Sequence, residues 1–111
     1  GTRTFDIAIT TIDAEVARLG LPRVDFIKLD VEGAELLALK GAADTIDRFQ
    51  PILCLEMMAA EGEEALAPYR HLTALGYTAY TFEDRRLRPV TRFDRDYANV
   101  FYLPPARSGA A

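Results

Sequence analysis

The fold of this 111-residue chain is decided by one stretch, VDFIKLDVEGAE, at residues 24–35. Its first part, Val24–Val31, is largely apolar on both faces, which is typical of a central parallel strand. Two acids, Asp30 and Glu32, then precede a glycine turn, and a helix is predicted from about Ala34. In open α/β sheets, ligands bind beyond the carboxyl ends of the parallel strands. We therefore expect functional groups at this point of the chain.

Outward from this stretch, apolar segments alternate with helical ones. A weakly alternating strand is predicted first, and a threonine of the Thr10-Thr11 pair is expected to cap the helix that follows it, with Asp13 favoured by the helix dipole. Gly41 is expected to interrupt or bend the helix after the 24–35 stretch, and Gly76 to end the later helix. The remaining strands are predicted at Ile52–Met57, Tyr77–Phe82 and Asn99–Leu103, with a loop or irregular hairpin at Glu83–Asp96. The order β-α-β-α-β-α-β-β predicts an α/β fold with a mainly parallel sheet. No helix separates the last two strands, so we expect them to pair antiparallel at one edge.

Composition narrows the class of protein. Half of the residues are hydrophobic and 27% are charged, as in one globular domain rather than a disordered chain. The formal charge of −4 argues against nonspecific binding to nucleic acid or to an anionic membrane.

Cys54 is the only cysteine, which excludes an internal disulfide, and its apolar surroundings predict a buried, inert thiol. Neither a signal peptide nor a membrane-spanning run is visible, so a cytoplasmic location is expected.

Two acids are predicted to meet at one rim of the sheet. Asp30 follows its strand, and Glu56 lies near the end of the next one. Adjacent strands are about 4.8 Å apart, so the two carboxylates can share a small site if these strands are parallel neighbours. Carboxylates that close repel each other unless a cation, a proton or a substrate hydroxyl lies between them. Such a pair suits the orientation or deprotonation of a hydroxyl, and its oxygens could also hold a divalent metal, but two acids alone are too few for us to predict a metal site.

The other candidate residues have competing interpretations. Lys28 shares a strand face with Asp30, either as an ion-pair partner of an acid or as a catalytic amine. Glu32 is either a site residue or an acid that interacts with the helix dipole, and for Glu35 we prefer the dipole role. His71 is expected at a surface or half-buried helix position rather than as a catalytic base, and Asn99 is expected to serve a turn.

The 24–35 stretch closely resembles the core motif of the FkbM family of S-adenosylmethionine-dependent methyltransferases, roughly hDhhKhDhEGxE. Further similarities extend the resemblance from about Thr10 to Pro104, at residues 11–13, 39–42, 51–56, 75–77 and 99–104. The resemblance implies part of a seven-stranded, Rossmann-like methyltransferase sheet. Residues 1–105 would form the C-terminal part of a class I methyltransferase domain, and residues 106–111 a disordered tail. The implied activity is O-methylation of a hydroxyl on a small molecule, sugar or lipid.

The resemblance also implies roles for individual residues. Asp30 would orient the acceptor hydroxyl or act as its base, assisted by Glu56 or Glu32, and Lys28 would hold Asp30 ionised. Related enzymes bind S-adenosylmethionine through an N-terminal half with a glycine-rich turn. The seven glycines of this chain are scattered, so the cofactor site is expected upstream and the chain alone is expected to be inactive. A sheet edge left exposed in this way would favour self-association.

Two other functions stay open at this point. The Asp30-Val31-Glu32-Gly33 turn also resembles the Asp-x-Asp-Gly of haloacid-dehalogenase-like phosphatases, although Ala34 replaces their usual threonine. Alternatively, the chain is a non-catalytic remnant that persists as a folding or dimerisation module.

Overall fold

The computed structural model describes residues 10–31, 33–58 and 62–105. The predicted strand at Thr4–Ile9, the candidate Glu32 and the tail at 106–111 lie outside these described residues. Within them, the elements in chain order are α1 (Ile12–Leu19), β1 (Phe26–Leu29), α2 (Glu35–Lys40), α3 (Ala43–Phe49), β2 (Ile52–Met57), α4 (Glu63–Ala74), β3 (Thr78–Glu83), β4 (Arg86–Pro89) and β5 (Tyr97–Leu103).

The five strands form one sheet in the order β1-β2-β5-β3-β4. Only β1 and β2 pair in parallel among the described strands, and the other three neighbouring pairs are antiparallel. The prediction of a mainly parallel sheet is therefore wrong for this part of the chain. The reason is that β5 inserts between β2 and β3, which run in the same direction but do not touch. The predicted antiparallel pair β3/β5 is confirmed, but β4 takes the edge position beside it.

The hydrophobic core lies on one face of this sheet. Strand residues such as Leu53, Leu55 and Tyr102 pack there with Leu39 of α2, Ile46 of α3 and Leu72 of α4. Their strand neighbours point to the opposite face, because side chains alternate along a strand. That face is open in the described structure and exposes three large apolar side chains, Phe26, Phe82 and Leu87.

Glycines lie at the ends of two helices, α2 and α4. Gly41 separates α2 from α3, as predicted. After α4 the backbone turns at Gly76, whose φ of +92° suits glycine. The N–H groups of Gly76 and Tyr77 then donate to the carbonyls of Thr73 and Leu72, and this confirms the predicted glycine end.

Strand β1 forms one border of the described sheet, since β2 is its only strand neighbour among these residues. Self-association through an exposed edge stays a prediction. No helix in the described ranges is long and apolar enough to cross a bilayer.

Candidate functional site

The predicted acid pair lies at one rim of the sheet. Strands β1 and β2 are parallel, with Lys28 opposite Cys54, so both strands end on the same side. Asp30 directly follows β1, and Glu56 is the penultimate residue of β2. Both acids line one cavity of about 210 Å³. We call it the acid cavity, and its lining residues are Lys28, Leu29, Asp30, Cys54, Leu55, Glu56, Ala98 and Asn99.

The third wall of the acid cavity comes from β5. The β2/β5 register shifts between Leu55 and Met57, which is the position of Glu56. This irregularity brings the start of β5 against the rim, and Asn99 enters the cavity. The prediction that Asn99 serves a turn is wrong, because β5 begins two residues earlier, at Tyr97. The signal available in the sequence was the amide of Asn99 in an otherwise apolar strand. Whether that amide reaches the cavity depends on how β5 pairs with β2, and local sequence patterns do not specify the register of strands that are far apart in the chain.

Cys54 lies beneath these polar groups. Its side chain is buried, with 2% exposure, and its thiol donates to Asn99 Oδ1 at 3.5 Å. Burial raises the pKa of Cys54, and the positive charge of Lys28 only partly opposes this effect. The thiol therefore stays protonated at neutral pH. This supports the prediction of a buried, inert cysteine.

Lys28 lines the acid cavity but does not form the predicted ion pair with Asp30. Among the described residues it takes part in no ion pair. The physical reason for expecting a pair was the cost of burying an amine, and Lys28 is exposed to solvent instead. Lys28 nevertheless lines the same cavity as Asp30 and Glu56.

The remaining acids of the motif have different positions. Glu32 lies outside the described residues, so its contribution to the site stays a prediction. Glu35 is half-buried in the first turn of α2, where the helix dipole favours an acid. His71 is half-buried in α4 and does not line the acid cavity.

Two carboxylates beside one ammonium group can bind a polar group that donates a hydrogen bond. A substrate hydroxyl is such a donor, and a carboxylate can also accept its proton. The described residues contain no group of three or more side chains suited to hold a metal ion. A larger cavity of about 560 Å³ lies between the start of α1 and α2, but the described residues that line it are mainly apolar and include no acid.

A comparison with protein-family models adds one finding. The model described as the methyltransferase FkbM domain matches residues 1–88. The chain belongs to the FkbM methyltransferase family. The matched range includes Lys28, Asp30 and Glu56 and ends before β5 begins. Comparisons with curated proteins and with solved structures found no match.

Membership of the FkbM family has consequences for the earlier hypotheses. It identifies the chain with a family of methyltransferases, which generally use S-adenosylmethionine. The phosphatase hypothesis and the non-catalytic hypothesis receive no support from this match. The five-stranded sheet with helices on one face is consistent with part of a methyltransferase fold.

Proposed function

We propose that this chain forms the acceptor side of an S-adenosylmethionine-dependent O-methyltransferase. The observation that supports the proposal is the convergence of Asp30 and Glu56 on one cavity, with Lys28 and Asn99 beside them. The family match supports methyl transfer as the reaction class. The paired carboxylates support an oxygen acceptor, because a hydroxyl is a weak nucleophile that gains from a base.

The residues of this chain do not fit the whole cofactor. The sequence has no glycine-rich strand-to-helix turn, and its glycines are far apart at 1, 20, 33, 41, 62, 76 and 109. The acid cavity, at about 210 Å³, is also smaller than the roughly 300–1,000 Å³ usual for sites of drug-sized ligands. We therefore propose that the chain alone does not bind S-adenosylmethionine, and we assign its residues to the acceptor only.

Four residues of the acid cavity then have distinct roles. Asp30 accepts the hydrogen bond of the acceptor hydroxyl and takes up its proton as the oxygen bonds to the methyl carbon, which S-adenosylmethionine would supply by breaking its carbon–sulfur bond. Glu56 binds a neighbouring donor and fixes the direction of the oxygen. Lys28 offsets part of the negative charge of the two carboxylates that line the same cavity. Asn99 contributes a neutral polar wall, since its carbonyl oxygen already accepts from Cys54.

The test is the substitution Asp30→Asn, measured as methyl transfer from labelled S-adenosylmethionine by the complete gene product. Loss of the base should lower kcat by about 10²–10⁴. Stability should change by less than about 0.5 kcal/mol, because Asp30 is exposed after the end of β1.

The matched control is Asp25→Asn. This acid lies just before β1, at its opposite end, and pairs with Arg23 at 3.0 Å. The same chemical change there should leave kcat within about twofold, since surface charges far from the chemistry contribute little. Wild-type turnover by Asp30→Asn, or an equal loss in both variants, would refute the assignment.

A further inference from the structure

Asn99 lies between the buried cysteine and the open side of the acid cavity. In the β2/β5 register Cys54 is opposite Phe101, and the register shift at Glu56 leaves that residue beside Asn99. Side chains two residues apart on a strand share a face, so Asn99 is on the same face of the sheet as Cys54 and Glu56. The amide therefore has the thiol on one side and a carboxylate of the cavity on the other.

The hydrogen bond from Cys54 fixes which end of the Asn99 amide faces a ligand. The thiol is buried, and because burial raises its pKa it is protonated and acts as the donor. It donates to Oδ1 of Asn99 at 3.5 Å. In a planar amide the NH2 group then points away from the buried thiol, to the side on which the acid cavity opens. Within the described part of the chain this NH2 group donates to no other group, so it is free to bind a ligand.

Hydrogen-bond donors and acceptors are thus divided between the walls of the acid cavity. The ionised carboxylates of Asp30 and Glu56 only accept, whereas the NH2 group of Asn99 only donates. The oxygen that receives the methyl group needs a free lone pair for its new bond, and a donor bonded to that oxygen would make it a weaker nucleophile. The Asn99 donor therefore suits a different, neighbouring oxygen of the same ligand.

We propose that Asn99 determines the specificity of the acid cavity: its NH2 group, oriented by Cys54, donates to a second oxygen of the methyl acceptor, next to the hydroxyl that Asp30 binds. This inference rests on the proposed function. Asn99 contacts the acceptor, and Cys54 is a positioning residue that acts through Asn99. A ligand with an apolar group in place of the second oxygen leaves the amide without a partner, which costs affinity. The matched family domain ends at residue 88, so Asn99 lies outside that match.

The Asn99 amide can be observed directly, because the chain contains one asparagine and one glutamine, and its side-chain NH2 groups are thus easily assigned by nuclear magnetic resonance. The isotope-labelled chain is titrated with methoxyethanol and with n-butanol, two neutral alcohols of equal length in which an ether oxygen replaces a methylene. Methoxyethanol should shift the Asn99 NH2 resonances and bind about threefold to tenfold more tightly, the value of one hydrogen bond. The NH2 group of Gln50, which donates to the Ile46 carbonyl at 2.9 Å, should not shift.

Three substitutions separate the roles of Asn99 and Cys54, with affinities taken from the backbone amide shifts of the cavity residues. Asn99→Leu keeps the size of the side chain at an exposed position and should abolish the preference for methoxyethanol. Cys54→Ser keeps a donor below the amide and should retain the preference, whereas Cys54→Ala removes the donor and should reduce it to less than about twofold.

The ratio of the two affinities is the readout, because a loss of stability alone would weaken the binding of both alcohols equally. The matched control is Thr91→Val, which removes a hydroxyl from an exposed position outside the acid cavity. This variant should leave the ratio unchanged.

Several outcomes would overturn the specificity role of Asn99. These are equal or tighter binding of n-butanol, no shift of the Asn99 NH2 resonances with methoxyethanol, or a preference that survives Asn99→Leu. An unchanged ratio in Cys54→Ala would overturn the positioning role of Cys54. If Cys54→Ala does not fold, a lost preference in Cys54→Ser would overturn it instead.

The titration contains no methyl donor, so it is independent of the Asp30→Asn assay. A preference for methoxyethanol without methyl transfer by the complete gene product would count against the proposed function alone. Methyl transfer that depends on Asp30, without this preference, would count against the present inference alone.

Discussion

At the scale of single residues, Asp13 connects two helices that are far apart in sequence. It lies in the first turn of α1, but its carboxylate accepts three hydrogen bonds from the start of α3. The donors are the N–H of Asp44 at 3.0 Å, and the N–H and hydroxyl of Thr45 at 2.8 and 2.6 Å. Helix α3 has no side-chain cap of its own, so Asp13 caps it from outside. Sequence patterns indicated only the interaction of Asp13 with its own helix dipole.

This contact gives a prediction for Asp13→Ala. Loss of the cap should lower the free energy of unfolding by about 1–2 kcal/mol at pH 7, as measured by urea denaturation. Asp47→Ala, on the exposed side of α3, should show only the small effect of the residue's helix propensity. Equal effects in the two variants would exclude the capping role.

The effect of Asp13→Ala should also depend on pH. Burial raises the pKa of Asp13, but the bonds from Thr45 and Asp44 lower it further, so the net pKa is below the ordinary value of 3.8. A carboxylate with a depressed folded-state pKa contributes its full stabilisation above the unfolded value and loses it as pH falls through the folded value. The difference between wild type and Asp13→Ala should thus be constant above pH 3.8 and shrink below it.

At the scale of secondary structure, α1 and α4 end in glycines with different surroundings. Gly20 and Gly76 both have positive φ, +61° and +92°. A Cβ at Gly20 would meet no atom within 4 Å, whereas one at Gly76 would lie 2.9 Å from Cγ of Pro105. The end of α4 is therefore also a packing contact with the segment after β5.

Alanine substitution separates these two contributions. Gly20→Ala should cost about 1 kcal/mol, the backbone strain alone. Gly76→Ala should cost about 1–3 kcal/mol more, because the new methyl group overlaps Pro105. The measurement is the urea midpoint of each variant. Combining Gly76→Ala with Pro105→Ala should bring the cost close to that of Gly20→Ala, and failure of this rescue would contradict the packing explanation.

Local signals explain which elements could be predicted from sequence. The threonine cap before α1, the break at Gly41 and the end at Gly76 depend on neighbouring residues, and all three were predictable; the choice of Thr11 over Thr10 was not. The turn between β3 and β4 contains Asp84 and Arg85, and both residues have positive φ. Arginine is not typical of such turn positions, so this segment was predicted only as a loop or irregular hairpin. The insertion of β5 between β2 and β3 depends on contacts across the chain. The sequence therefore predicted that Asp30 and Glu56 meet at one rim, but not that Asn99 joins them.

In the molecule as a whole, the residues that form the core and the residues of the candidate site lie in different parts of the sheet. The buried core lies between the helices and one face of the sheet. The acid cavity lies at the rim of the sheet, where Asp30 is exposed. Substitutions of its exposed residues should consequently change activity with little change in folding, so that a loss of activity can be assigned to the site.

The open face gives a last prediction that compares two leucines. Leu53, in β2, has no exposed surface and packs against the helices, whereas Leu87, in β4, is 47% exposed on the opposite face. Leu53→Ala should cost about 2–5 kcal/mol, since it leaves a cavity in the core. Leu87→Ala should cost less than about 1 kcal/mol.

Urea denaturation at several protein concentrations measures the free energy of unfolding of both variants. A large cost for Leu87→Ala at every concentration would mean that the face is covered within the chain. A cost that rises with concentration would mean that a second copy covers it, which is the form of self-association that an open sheet allows.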